Sequence, residues 1–249
     1  MLPGFDPAGM GNDSAYPAVG VLFDGANDYY TRGANFTGLT DGRRWTVSFW
    51  FRRNGGTGTL QRVMGDDGAG NKFNLRFNAG NTIQMIGTDS GGTTRVDVTS
   101  TAAYSDTTTW HHFLFSVSTL GHVAYMYVDD VDVSSVATLS STNNVELSRT
   151  NHSLGADTDG TDKLNADLAD VLFHNSFLDI SSEANRRKFI TSSHRPVDLG
   201  SDGSIPFGTA PILFQRVRPG GVAGDFTTNR GTGGGMTMTG TTTLSATNP

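Results

Sequence analysis

Residues 44–53 read RWTVSFWFRR, and this decapeptide limits the fold more than any other stretch of the chain. Trp45, Val47, Phe49 and Phe51 fall on one side of an extended strand; Thr46, Ser48, Trp50 and Arg52 fall on the other. The pattern predicts a strand with one side on a core and one side toward water. The same period of two returns in KFNLRFNAGNTIQMIG, a hairpin turning at Asn78–Asn81, and in TTRVDVTS. In HHFLFSVSTLGHVAYMYV both faces are apolar around the Thr119–Gly121 turn, so this pair is expected in mid-sheet. Helix formers are scarce. Among 249 residues there are two glutamates and three lysines, against 32 glycines. The fold class that follows is all-β: a two-sheet antiparallel sandwich of short strands joined by Gly, Asn and Asp turns.

One segment departs from the pattern. NADLADVLFHNSFLDISSEANRRKF, residues 165–189, joins a buried strand at Val171–Phe173 to a short helix over residues 180–191. Asp179 is placed to cap it, Glu183 and Arg187 form an i,i+4 pair, and Pro196 marks its limit, giving about two to three turns. The chain divides into an N-terminal arm over residues 1–18, a sandwich over 19–192, and a C-terminal extension over 193–249. The extension carries further strands near 211–217 and 236–244 that pack on the sandwich.

Charge and composition narrow the function classes. A net charge of −6 argues against a nucleic-acid partner. There is no cysteine, hence no disulfide framework and no thiolate metal site. MLPGFDPAGMGNDSAYP lacks both a basic region and an apolar run, so it does not read as a signal peptide, and no stretch is apolar enough to span a membrane.

Glycoside hydrolysis needs two carboxyl groups across the scissile bond. Glu146 and Glu183 are far apart in sequence, and no Glu-x-Asp-x-x-Glu strand is present. No Gly-x-Ser-x-Gly elbow anchors a hydrolase triad. His111 and His112 are adjacent on a strand, point to opposite faces and cannot chelate one ion together; one is expected buried and the other solvated. In GADTDGTDKL, Asp157, Asp159 and Asp162 offer hard oxygen ligands in one tight loop, which suits calcium and equally suits a solvated turn. Asp24 and Asp170 are further acidic candidates, read here as carboxylates bonded to backbone amides. An aromatic platform for a sugar has Trp50, Tyr104 and Trp110 as candidates, with Tyr29 and Tyr30, each of which can equally be core.

Four stretches taken in order carry a family resemblance: VLFDGANDYYTRG, then WTVSFWFRR, then the Trp110–His111 hairpin, then LGADTDGTDKLNADLADVLFHNSFLD. Together they resemble the laminin-G-like, concanavalin A-like jelly roll, with Asp24, Trp45, Trp110, His111 and Asp170 at matching places over roughly residues 19–190. Residues 188–249 resemble the tails of laminin-G-like proteins in tailed bacteriophages. The resemblance implies a non-enzymatic virion protein, a head-decoration or tail component. Its implied partners are major capsid or tail subunits and further copies of itself, and it would be assembled in the host cytoplasm. The alternative is a tail adhesin that binds a host-surface glycan. No cofactor is expected beyond structural calcium.

Overall fold

A computed structural model describes residues 15–66 and 72–249. The strands run in chain order as β1 (Val21–Asp24), β2 (Tyr29–Arg32), β3 (Arg44–Arg53), β4 (Gln61–Asp66), β5 (Phe73–Phe77), β6 (Thr82–Thr88), β7 (Thr94–Ala103), β8 (His111–Ser118), β9 (Val123–Val128), β10 (Val131–Asp132), β11 (Ser134–Leu139), β12 (His152–Leu154), β13 (Asn165–His174), β14 (Leu213–Gln215), β15 (Thr237–Thr239) and β16 (Thr243–Leu244). They form two antiparallel sheets. Sheet I has the order β10-β9-β8-β3-β13-β1-β16, with β14 also on β13; sheet II has the order β11-β7-β6-β5-β4-β12-β2-β15. The result is the all-β sandwich that the strand alternation predicts, and β8 sits in mid-sheet between β3 and β9.

The core lies where period-two burial puts it. Trp45, Val47, Phe49 and Phe51 of β3 are fully buried, as are Phe113, Phe115 and Val117 of β8 and Leu75, Phe77, Met85 and Val98 from sheet II. Phe49 and Phe113, cross-strand partners, hold their ring centroids 4.8 Å apart.

The other side of β3 differs from expectation. Thr46, Ser48 and Trp50 are 0, 2 and 4% exposed rather than wet. Residues 176–207 lie over this face as a third layer. Thr46 Oγ1 donates to Ser176 O (2.8 Å), and the Leu178 amide donates to Ser116 Oγ (3.0 Å). Leu114, Leu172, Ile180, Phe189, Leu199 and Phe214 make a second apolar cluster under this layer. The covering chain arrives more than 120 residues after β3, so local periodicity cannot report it.

The helix is also shorter than expected. α1 spans Glu183–Arg186, one turn, with Ser182 rather than Asp179 at the cap position. Asp179 Oδ1 accepts from the Ser181 amide (3.1 Å) and hydroxyl (2.6 Å). This local turn competes with helix for residues 180–182, where two serines favour it. The Glu183–Arg187 pair does form, at 2.8 Å. Arg186 and Arg187 also both bond to Asp130, pinning the third layer to the β9–β10 hairpin. That hairpin turns on Asp129 (φ 50) and Asp130 (φ 65), the two left-handed residues of a type I′ turn.

The two ends of the chain meet on the sandwich. β15 extends the free edge of β2, and β16 extends that of β1. A 3-10 turn at Ala223–Thr227, not foreseen from sequence, buries Phe226 beside Phe23 and Tyr30. Of the expected arm, residues 1–14 lie outside the described residues. Tyr16, within the arm's expected bounds, stacks on the Arg216 guanidinium at 4.1 Å, and Ala18 is fully buried.

Candidate functional site

β3 and β8 run antiparallel, so the sandwich has two distinct ends. At one lie Arg53, the start of β8 and the start of β4; at the other lie Arg44 and Ser118. The eight residues of β8 separate them by about 25 Å.

The aspartate loop, Tyr104 and Trp110 stand at the first end, and their polar atoms are largely taken up there. Asp157 Oδ2 and Asp162 Oδ2 lie 3.0 and 3.3 Å from the same Arg62 Nη2. Asp159 Oδ1 accepts from the Thr161 amide (2.9 Å) and hydroxyl (2.6 Å), bonds that hold its carboxyl below the usual range. The three carboxylates are thus turned to a guanidinium and to a turn rather than to a common point. Among the described residues no three His, Asp or Glu side chains gather as a metal ligand set.

The aromatic candidates are also committed to packing. Trp50 is 4% exposed, packed with Ala18, Ala169 and Ile190 and stacked on His112 (4.9 Å), too enclosed to meet a sugar ring. Tyr104 packs edge-on against Phe51 (5.8 Å). Trp110 Nε1 donates to Thr247 Oγ1 (3.0 Å), and the ring lies against Gly20. Tyr30 is core and bonds through its hydroxyl to Thr242 Oγ1 (3.0 Å); Tyr29 lies against Gly160 of the aspartate loop.

The paired histidines and glutamates play structural parts. His112 is buried, its Nε2 3.0 Å from Ser48 Oγ, and desolvation lowers its pKa to about 4; His111 Nδ1 lies 2.6 Å from Asp129 Oδ2. Glu146 pairs with Arg149 and Lys72, and Glu183 with Arg187. Asp24 Oδ1 caps its own turn through the Ala26 amide (2.7 Å). Asp170, at φ 49 in the β13 bulge, differs from its reading as an amide acceptor: it faces Arg216 Nε at 3.2 Å. That contact is long, so burial prevails and raises the carboxyl to about 6.

The opposite end is open. Two adjoining grooves of about 370 and 580 Å³ share Arg44, Leu120 and Asn175. Four segments build them: the loop before β3, the β8–β9 turn, the loop after β11 and the loop after β13. The isolated bridge Gly42–Val145 ties the first segment to the third. The β8–β9 turn closes through the Gly121 amide on Ser118 O (3.1 Å) and presents Leu120 at 51% exposure. Arg43 is fixed by Nε to Asn144 Oδ1 (2.9 Å) and Nη2 to Thr142 O (3.2 Å). With its oxygen so used, the Asn144 amide keeps its N–H groups for a guest. Arg44 and Asn175 are exposed and make no side-chain hydrogen bond or ion pair with any described residue. Val123 and Phe177, half-buried, add apolar surface beside Leu120. Apolar patches bordered by free amide and guanidinium donors suit a ligand with C–H faces and hydroxyl edges. None of these residues was singled out in the sequence. The one local signal is Leu120, a large apolar residue at the tip of a hairpin turn where polar residues are the rule.

The laminin-G pattern of the concanavalin A-like lectin/glucanases superfamily matches residues 24–181, more than half of the chain. The chain belongs to this superfamily. Among solved structures, this superfamily member is similar to a putative carbohydrate binding protein from Bacteroides ovatus (TM-score 0.63, 12% identity, covering 94% of this chain and 61% of the other). It is also similar to the heptameric SAP-like pentraxin of Limulus polyphemus (TM-score 0.52, 10% identity, 72% and 86%). Domains LG4-5 of the mouse laminin alpha1 chain resemble it too (TM-score 0.50, 16% identity, 73% and 49%). The chain thus spans under two thirds of the Bacteroides and laminin chains, and at these identities the likeness is one of fold. A search of curated proteins finds no match.

Proposed function

We propose that this chain is a non-catalytic binding module that takes a glycan in the cleft between the loop before β3, the β8–β9 turn and the loop after β13. The observation that carries the reading is the pair of joined grooves sharing Arg44, Leu120 and Asn175, with neither polar member bonded through its side chain to another described residue. The carbohydrate-binding description of the Bacteroides ovatus neighbour supports it. The positions of Glu146 and Glu183, each held in ion pairs and on separate elements, support the non-catalytic part. The test is a glycan array probed with the whole chain and with Asn175→Ala and Leu120→Asp. Saccharide binding that both variants lose sustains the reading. Binding retained by both variants, or none to any saccharide, overturns it.

A virion setting is the second reading, favoured by the resemblance of residues 188–249 to the tails of phage laminin-G-like proteins. In that setting the module is a head-decoration or tail component held by other virion subunits, and the cleft faces the host surface. Immunogold labelling of phage particles tests it: label on heads or tails supports the reading, and particles free of label refute it.

A further inference from the structure

The cleft has a charge character opposite to that of the chain. The protein carries a net charge of −6, yet among the described residues the two grooves are lined by Arg43 and Arg44 and by no Asp or Glu. Two carboxylates line the adjoining polar groove and are already engaged. Asp41 Oδ1 accepts from the Ser148 amide (2.9 Å) and hydroxyl (2.6 Å). Asp89 is bound by Arg95 and by Asn143 Nδ2 (2.9 Å). Neither is turned to Arg44.

The two arginines are not equivalent. Arg43 is tethered to the loop after β11 and shapes the wall. Arg44 is the first residue of β3, with its backbone in register against Ser118 of β8. Its Cα is therefore fixed by the sheet while its guanidinium stays free at the boundary shared by both grooves. Leu120 beside it excludes water from part of its surroundings. A planar guanidinium in this position matches a planar or tetrahedral oxyanion with two parallel N–H···O bonds. Exposed, and without a bond to any other described residue, its donors face the groove.

We infer that the cleft selects saccharides bearing an anionic group, and that Arg44 is the residue that reads this group. The inference rests on the glycan reading of the cleft and goes beyond it by fixing the ligand's charge. A carboxylate on the sugar ring and a sulfate ester share this chemistry.

The experiment uses the full chain and an array on which each carboxylated saccharide stands beside its methyl ester, and each sulfated saccharide beside its unsulfated form. The expected result is at least tenfold tighter binding of the anionic member of one pair. Arg44→Gln should bring that ratio to near one, and Arg44→Lys should restore it in part. Raising salt should weaken the anionic member selectively, since an exposed charge pair is screened. Preference in the ester pairs identifies a carboxylate as the recognised group, and preference in the sulfate pairs identifies a sulfate. Thermal melts of the variants should coincide with that of the parent chain, because Arg44 is exposed and makes no bond to the fold. Two outcomes overturn the inference: equal binding of charged and uncharged members, or a preference that survives Arg44→Gln. If equal binding is still lost in Asn175→Ala, the glycan reading stands and only the charge selectivity falls. If no saccharide binds at all, both fall together.

Discussion

The two ends of the sandwich hold similar inventories of residues and do opposite things with them. At the end bearing Asp157, Asp159 and Asp162, the carboxylates, the Arg62 guanidinium and the Trp110 indole bond to one another or to the neighbouring backbone and hydroxyls. At the other, Arg44 and Asn175 point at space and Leu120 stands half out of the protein. An acidic loop or an aromatic ring shows what a surface could bind. Whether its polar atoms are already taken shows what it has left to offer. By that measure the chemically richer end is the closed one, and the plainer end is the candidate site.

The contrast can be broken most severely at Gly155, which opens the aspartate loop. Its φ is +88, and an added Cβ would stand 2.4 Å from Phe23 Cε1. Gly155→Ala should cost about 3 kcal/mol or more, seen as a large fall in melting temperature with denaturant slope unchanged. A neutral substitution would mean that the closed end is looser than its contacts imply.

A pH titration should sharpen the comparison from between the ends. His112 has a folded pKa of about 4, below the unfolded value of 6.5. As pH falls through 6.5 the unfolded chain takes the proton first, so stability is lost between pH 6.5 and 4. His174, also lowered, acts in the same direction. Asp170 has a folded pKa of about 6, above the model-peptide value of 3.8. Here the folded chain takes the proton first, and stability is gained between pH 6 and about 4. The His112 loss and the Asp170 gain each amount to about 3 kcal/mol and nearly cancel, which leaves the parent chain the loss from His174. Asp170→Asn removes the compensating gain and should lose about 3 kcal/mol more than the parent between pH 6.5 and 4. Chemical denaturation at successive pH values measures the difference; parallel curves would contradict it.

Smaller effects belong to the aspartate loop and then to the cleft. Asp159→Ala removes two short bonds to Thr161 and should cost about 1 kcal/mol. Chelator should leave the melting temperature in place, because Asp157 and Asp162 are already paired with Arg62. A calcium-dependent rise would instead mean that an ion can displace the arginine. Asn175→Ala should change stability by less than about 0.5 kcal/mol while abolishing saccharide binding. Equal losses of both would make the open end a structural feature rather than a site.

Sequence reading reached the sheets more fully than the site, for a physical reason. Strand alternation is local, so Trp45 to Phe51 and Phe113 to Val117 declare their core face within ten residues. Coverage of the opposite face is not local: Ser48 and Trp50 look wet until residues 176–207 are laid over them. The helix was overestimated because Ser181 and Ser182 yield to the Asp179 turn. The cleft joins Arg44, Leu120, Asn144 and Asn175 from four separate segments, and no spacing between them marks a motif. The aspartates and tryptophans drew notice because such residues bind ligands in general, and here they bind their own protein.

The pairing of β15 and β16 with β2 and β1 has a consequence for synthesis. The Gly20 amide is held by Asn248 Oδ1, 228 residues away, and Gly20 O accepts from Ser245. A chain leaving the ribosome therefore keeps at least one edge of β1 and of β2 open until residues 237–244 have been made. Until then two rows of unmatched backbone groups are available to any other extended chain. Such a protein is most vulnerable to cross-pairing with its own nascent copies, and residues 237–248 act as the stitch that ends that vulnerability.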